Sequence, residues 1–239
     1  MALTQTFSVV IPASGIGKRM QANMAKQYLP LMNKTVLEHT IHCFLDMPLV
    51  DEVVVAIADH DEQFATLELA NHPKVHSVLG GKERANSVFN ALDYLRNKDC
   101  AWVMVHDAAR PCLEQKDILN LARECFTNNH AGILATQVRD TMKRTVSNSN
   151  LIDKTEDRKN LWHALTPQCS DVKQLHQALS EQLSREGLIN PAITDEASAL
   201  ELAGLPVAII AGSGKNIKIT QPEDLELAEY YIKSKINEF

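Results

Sequence analysis

The chain has 239 residues, 45% of them apolar, with 24 basic and 30 acidic side chains and a net charge of −6. That length and apolar content support a sizeable core and exclude a disulfide-stapled miniprotein, and the acidic balance argues against nucleic-acid binding through a general basic surface. The longest apolar runs fall far short of a membrane span, no basic n-region of a signal peptide opens the chain, and five cysteines without metal-ligand spacing fit a reduced, cytoplasmic compartment.

Phe7–Pro12 is a short β-branched run ending at Pro, which predicts a buried strand. The pattern then predicts a helix over Val36–Met47, a strand over Glu52–Ala58, a helix over Asp61–Ala70 and a strand over Val75–Leu79. Glu83–Leu95 has helical spacing, Ala101–His106 reads as a strand, Gln115–Phe126 as a helix and Gly132–Val138 as a strand. The rhythm breaks near 140. Thr141–Val146 and Leu151–Thr155 read as two short strands about a polar Ser-Asn-Ser-Asn turn. This hairpin, residues 139–158, is too poor in large apolar residues to contribute much core and is expected to protrude as an arm. Asn160–Leu165 returns to strand character, followed by helices at Asp171–Arg185 and Asp195–Ala203, strands at Val207–Ala211 and Asn216–Thr220, and a closing helix at Glu223–Lys235 with Pro222 at its first turn.

Alternating strands and helices predict an α/β fold: a mostly parallel twisted sheet with helices on both faces, one domain over 1–239 carrying the arm. Right-handed crossovers bring the strand C-termini to one edge, where ligands of such sheets bind. The loop after the first strand is Pro12-Ala-Ser-Gly-Ile-Gly-Lys-Arg-Met20. Its small residues let backbone N–H groups approach phosphate oxygens. Residues 1–37 contain no acid but carry Lys18, Arg19, Lys26 and Lys34, a cationic opening to an acidic protein. Met20 stands where a dinucleotide fingerprint needs a small residue, and no Gly-Lys-Ser/Thr follows as in a triphosphate P-loop. Asp107 lies just past the apolar strand ending at His106, on the same edge. It could hold Mg²⁺, with Arg110 gripping an anion, or it could cap the next turn and pair with Arg110. His39 and His42 lack a zinc-ligand pattern, and Trp162 and the cysteines read as core.

These motifs together resemble the 2-C-methyl-D-erythritol 4-phosphate cytidylyltransferases. The resemblance rests on Pro12–Met20 followed by Lys26-Gln-Tyr-Leu29, Val105-His-Asp-Ala-Ala-Arg-Pro111, Val138-Arg-Asp-Thr-Met-Lys143, Leu161-Trp-His-Ala-Leu-Thr-Pro-Gln168, Thr194-Asp-Glu-Ala-Ser198 and Asn216-Ile-Lys218. It implies a Rossmann-like nucleotidyltransferase, a homodimer joined through the arm, and transfer of CMP from CTP to 2-C-methyl-D-erythritol 4-phosphate with Mg²⁺ or another divalent ion, in non-mevalonate isoprenoid biosynthesis. By the same resemblance, Arg19 and Lys26 stabilise the transition state at the α-phosphate. Ala13, Ser14, Gly15, Gly17 and Lys18 line the triphosphate, Gly81 and Ser87 contact the cytidine, and Asp107 is the metal ligand. Arg110, Thr141, Arg158, Thr166, Thr194 and Lys218 form the sugar-phosphate site. A cytidylyltransferase for another polyol phosphate, such as ribitol 5-phosphate, is the nearest alternative. An NAD(P) oxidoreductase is disfavoured by Met20 and by the lack of an acid near residue 35.

Overall fold

The computed structural model describes residues 3–15, 24–183 and 189–237. In chain order it runs β1 (Phe7–Pro12), β2 (Pro30–Leu31), β3 (Lys34–Thr35), α1 (Val36–Leu45), β4 (Val50–Ile57), β5 (Val75–Leu79), α2 (Arg84–Leu95), β6 (Trp102–Val105), α3 (Gln115–Asn128) and β7 (Ala131–Gln137). It continues with β8 (Lys143–Thr145), β9 (Ile152–Thr155), β10 (Trp162–Asp171), α4 (Val172–Glu181), α5 (Glu196–Leu202), β11 (Val207–Ala211) and α6 (Pro222–Asn237).

Seven strands form one sheet in the order β11-β7-β10-β6-β1-β4-β5. Strand β10 runs antiparallel to both β6 and β7, and the other pairings are parallel. Side chains alternate across the pleat, so Val9 and Ile11 enter one core with Ile41, Phe44 and Leu121. Val10 enters the opposite core with Leu92, Val103 and Leu175. Burial on both faces is why β1 and β4 read as continuous apolar runs rather than alternating ones. Because β1, β4, β5 and β6 are parallel, the segments after Pro12, Leu79 and Val105 emerge on the same edge.

Helix starts are defined chemically. Thr35 and Glu38 form a reciprocal capping box on α1, and Glu83 and Asn86 form one on α2. Two predicted elements differ. Asp61–Ala70 is not an α-helix but two short 3-10 turns, Phe64–Thr66 and Glu68–Asn71. Asp61 and Thr66 bond local backbone groups, and Leu67 is extended between the turns, so side chains satisfy the backbone in place of helical bonds. Asn216–Thr220 joins no ladder; Ile219 N–H instead reaches the Ala109 carbonyl at 2.8 Å. Strand β10 is also longer than predicted and carries a register shift between Ala164 and Gln168.

Among the described residues, strands β8 and β9 pair only with each other, and residues 139–164 are mostly exposed. Trp162, expected in a core, is 37% exposed there, alongside exposed Val146, Leu151 and Ile152. Among the described residues, no helix is long and apolar enough to cross a membrane.

Candidate active site

At the C-terminal edge, Pro12–Gly15, Lys26, Gln27, Lys82–Arg84, Asp107–Ala109 and Lys218 line a cleft of about 180 Å³. Its floor is held by side chains. Gln27 Nε2 donates to the carbonyls of Ala13 at 2.6 Å and Gly15 at 3.1 Å, which pins the start of the small-residue loop. Ser14 and Ser87 hydroxyls meet at 2.7 Å, and Ser87 Oγ accepts from Gly81 N–H at 3.0 Å. Packing here excludes larger residues: a Cβ on Gly80 would fall 2.6 Å from Ser14 Cβ, and one on Gly81 would fall 2.3 Å from Asn86 Cβ. Lys26 Nζ donates to the Ile219 carbonyl at 3.0 Å, so the opening segment is tied to the stretch carrying Lys218.

Asp107 is the centre of charge. Its carboxylate receives Arg84 Nε at 3.0 Å on one oxygen, and Arg110 Nε at 3.1 Å and Lys218 Nζ at 3.0 Å on the other. Burial alone would raise the Asp107 pKa, but Arg84, Lys218 and Arg110 together hold it far below the usual carboxylate range. Arg84 is shared: its two terminal nitrogens bind both oxygens of Glu196, at 2.6 and 3.0 Å. Burial opposes its charge, yet Glu196 and Asp107 raise its pKa further. Of the alternatives the sequence offers for Asp107, the pairing with Arg110 is present, and among the described residues its carboxylate bonds these three cations rather than a turn N–H.

A second cleft, about 190 Å³, is lined by Arg84, Asp107, Arg110, Ala164–Thr166, Gln168, Thr194, Asp195 and Lys218. The two clefts therefore share Arg84, Asp107 and Lys218. Thr166 sits in the irregular stretch of β10. Its hydroxyl accepts Asp107 N–H at 3.1 Å and lies 2.9 Å from His106 Nδ1. Asn216 donates to the Thr166 carbonyl at 2.7 Å, and its own carbonyl receives Arg110 Nη1 at 2.8 Å. His106 is fully buried, and that burial lowers its pKa to about 4.

Of the residues singled out in the sequence, Ala13, Ser14, Gly15, Lys26 and Asp107 line the first cleft, and Gly81 and Ser87 brace its wall. Arg110, Thr166, Thr194 and Lys218 line the second with Asp107. Gly17, Lys18 and Arg19 lie outside the described residues. Thr141 and Arg158 do not line either cleft; both are exposed on the arm, where Arg158 donates to the Arg139 carbonyl rather than pairing with Asp157 or Glu156. Asp195 caps α5, its side chain accepting Ser198 N–H, so the cap does not use the Thr194 hydroxyl. Four residues were not assigned from sequence: Arg84, Glu196, Gln27 and Gln168. Arg84 had a usable signal, since it opens a helix just after a glycine pair at the binding edge. His39 Nε2 bonds the Leu31 carbonyl and His42 Nε2 meets Lys34 Nζ, and the described residues hold no group of three or more His, Cys, Asp or Glu placed for a metal.

A mostly parallel sheet whose C-terminal edge gathers a small-residue loop, a strand-end carboxylate and a ring of cations defines a Rossmann-like nucleotidyltransferase. The chain belongs to the 2-C-methyl-D-erythritol 4-phosphate cytidylyltransferase family, whose model matches residues 7–234. A relative of that name from Alteromonas mediterranea is 53% identical over 229 residues, covering 95% of this chain and 93% of the relative. One from Colwellia psychrerythraea is 46% identical over 244 residues and covers 99% of both. The crystal structure of the Francisella tularensis enzyme of the same name superposes with a TM-score of 0.80 at 39% identity, covering 95% of this chain and all of that one.

Proposed function

We propose that this protein transfers the cytidylyl group of CTP to 2-C-methyl-D-erythritol 4-phosphate, releasing pyrophosphate and forming CDP-methylerythritol for isoprenoid precursor synthesis. The observation that carries this reading is the pair of adjoining clefts sharing Arg84, Asp107 and Lys218. A nucleotide phosphate chain in one and a sugar phosphate in the other would meet beside those cations. An oxygen of the acceptor phosphate forms the new bond to the α-phosphorus, and the bond to the bridging oxygen breaks as pyrophosphate leaves. That nucleophile is already an anion, so no general base is required. What the protein must do is bring two anions together and stabilise charge on the α-phosphate oxygens. Lys26 lines the first cleft; it and Arg19 are the proposed catalytic residues, acting on the charge at the α-phosphate. Ala13, Ser14, Gly15, Gly17 and Lys18 bind the triphosphate, and Gly81 and Ser87 the cytidine. Arg110, Thr194 and Lys218 take the polyol phosphate, with Thr166 in the same cleft.

The donor set suits a divalent ion only together with nucleotide. One carboxylate with three cation partners is a poor site alone, whereas Mg²⁺ is commonly held by one or two carboxylates plus substrate phosphates. Asp107 is the residue that would hold it, and the ion when bound neutralises charge on the phosphates. We further propose one domain, a homodimer through the arm, and a cytoplasmic location. Exposed Leu151, Ile152 and Val146 give the arm an apolar surface to cover, and five free thiols suit a reducing compartment.

The test is pyrophosphate release with each nucleoside triphosphate crossed against each polyol phosphate. CTP with 2-C-methyl-D-erythritol 4-phosphate should exceed every other pair by orders of magnitude. Equal or greater turnover with ribitol 5-phosphate would replace the proposed acceptor.

A further inference from the structure

The most buried ionisable group near the clefts touches neither of them. His106 is 0% exposed, its ring lying edge-on to Phe44 with centroids 5.4 Å apart. Its two nitrogens nevertheless have fixed partners. Nε2 is 3.0 Å from the carbonyl oxygen of Arg110, and Nδ1 is 2.9 Å from Thr166 Oγ1. A carbonyl oxygen can only accept, so Nε2 carries the hydrogen. A neutral imidazole has one N–H, so Nδ1 is a bare acceptor and the Thr166 hydroxyl must donate to it. That hydroxyl oxygen also accepts Asp107 N–H at 3.1 Å. Its single hydrogen and one of its two lone pairs are thereby engaged inside the protein.

We propose that His106 is a positioning residue that fixes the Thr166 hydroxyl as an acceptor toward the polyol-phosphate cleft. With its hydrogen committed to Nδ1, Thr166 has none to offer a phosphate oxygen. Its oxygen keeps one lone pair, and Thr166 lines the cleft, so as an acceptor it suits a hydroxyl of the polyol chain. Within the same chain, the phosphate is left to Arg110, Lys218 and Thr194. The same ring ties the Arg110 turn to the Thr166 segment of β10. Two parts of the cleft that are distant in sequence are thus held by one side chain, as a group behind a site must do to keep it in register. The inference rests on the reading of this cleft as the polyol-phosphate site.

The tautomer can be read directly. In the full-length protein labelled with ¹⁵N-histidine, the His106 ring, assigned by its loss in His106→Asn, should show a protonated Nε2 and a hydrogen-bonded bare Nδ1. Thr166→Val should move the Nδ1 resonance to that of an unbonded ring nitrogen, and Thr166→Ser should restore it. In kinetics, His106→Asn places an amide oxygen near the Nδ1 position. His106→Gln loses that acceptor while keeping a donor toward Arg110. His106→Gln should raise KM for 2-C-methyl-D-erythritol 4-phosphate by about tenfold, the size of one lost hydrogen bond, with a smaller rise in His106→Asn and little change in KM for CTP. A protonated Nδ1 in the wild-type spectrum, or a Thr166→Val spectrum identical to wild type, overturns the proposal even if both histidine variants fail to fold. Failure of the underlying reading would look different: the wild-type protein would not turn over that substrate pair at all.

Discussion

Around Asp107 each charge depends on its neighbours, so single substitutions should separate into distinct effects. Lys26→Ala removes a cation from the first cleft. If it acts on charge that develops only in the transition state, kcat should fall about 10²–10³-fold, as for other preorganised donors, with a lesser effect on KM. Steady-state kinetics on folded protein checks this, and near wild-type turnover would remove Lys26 from the mechanism. Asp107→Asn keeps the shape and one acceptor oxygen but loses the anion that three cations and a divalent ion would share. Activity should become nearly insensitive to Mg²⁺ titration, whereas an unchanged titration curve would make Asp107 a structural partner of Arg84, Arg110 and Lys218 only. His106 links the site to stability. Burial depresses its pKa from 6.5 to about 4, so between those values the unfolded chain binds the extra proton. Stability is then full above about pH 6.5 and falls as pH drops toward 4, by at most about 1.4 kcal/mol per pH unit from this group. Urea midpoints measured across that window should lose part of their slope in His106→Asn.

Helices α2 and α5 meet through one ion pair. Arg84 begins α2 and Glu196 begins α5, and the bidentate contact between them fixes the segment that carries Thr194 against the segment that carries Gly81. Glu196 is 3% exposed, so Arg84→Ala leaves a buried carboxylate without its guanidinium. Destabilisation of about 3–5 kcal/mol is expected for such a broken pair, and Glu196→Gln, which removes the charge but keeps the shape, should lose much less. A chemical-denaturation series with both variants tests the order. This contact also marks what the sequence could reveal. Strands β1, β4 and β6 were legible because burial on both faces leaves an uninterrupted apolar run, and α1 and α2 because their apolar spacing is regular. The small-residue loop and Asp107 were legible because strand ends in such a sheet converge. Arg84, Glu196 and Gln27 were not assigned because their roles come from pairings across 112 residues in one case and across a loop in the other. Neither local pattern nor composition encodes these. The Asp61–Ala70 segment failed for the opposite reason: its spacing suited a helix, but Asp61 and Thr66 found better local partners.

The whole molecule poses one question that a single chain does not answer: why two residues matched to the sugar-phosphate site, Thr141 and Arg158, stand on an arm that reaches neither cleft. A hairpin of two short strands is marginal in water, and this one exposes Leu151 at 73% and Ile152 at 61%. A twofold partner would cover that surface and bring Arg158 of one subunit to the substrate phosphate in the other. If Arg158 acted within its own chain, it would have to leave the Arg139 carbonyl and cross to a cleft lined by Arg110, Thr194 and Lys218 with no element to carry it. Subunit mixing separates these cases. Arg158→Ala and Lys26→Ala proteins, each inactive alone, are combined and allowed to exchange, with exchange verified by a mass tag. For sites completed in trans, the heterodimer contains one site bearing both lesions and one bearing neither. A 1:1 mixture at statistical exchange is half heterodimer with one of two sites intact, so about a quarter of wild-type activity should return. For sites built from one chain, every site keeps one lesion, and activity stays absent despite exchange. That second outcome, or a fully active monomer in sedimentation, would leave the arm as a dimer contact at most and return Arg158 to the surface.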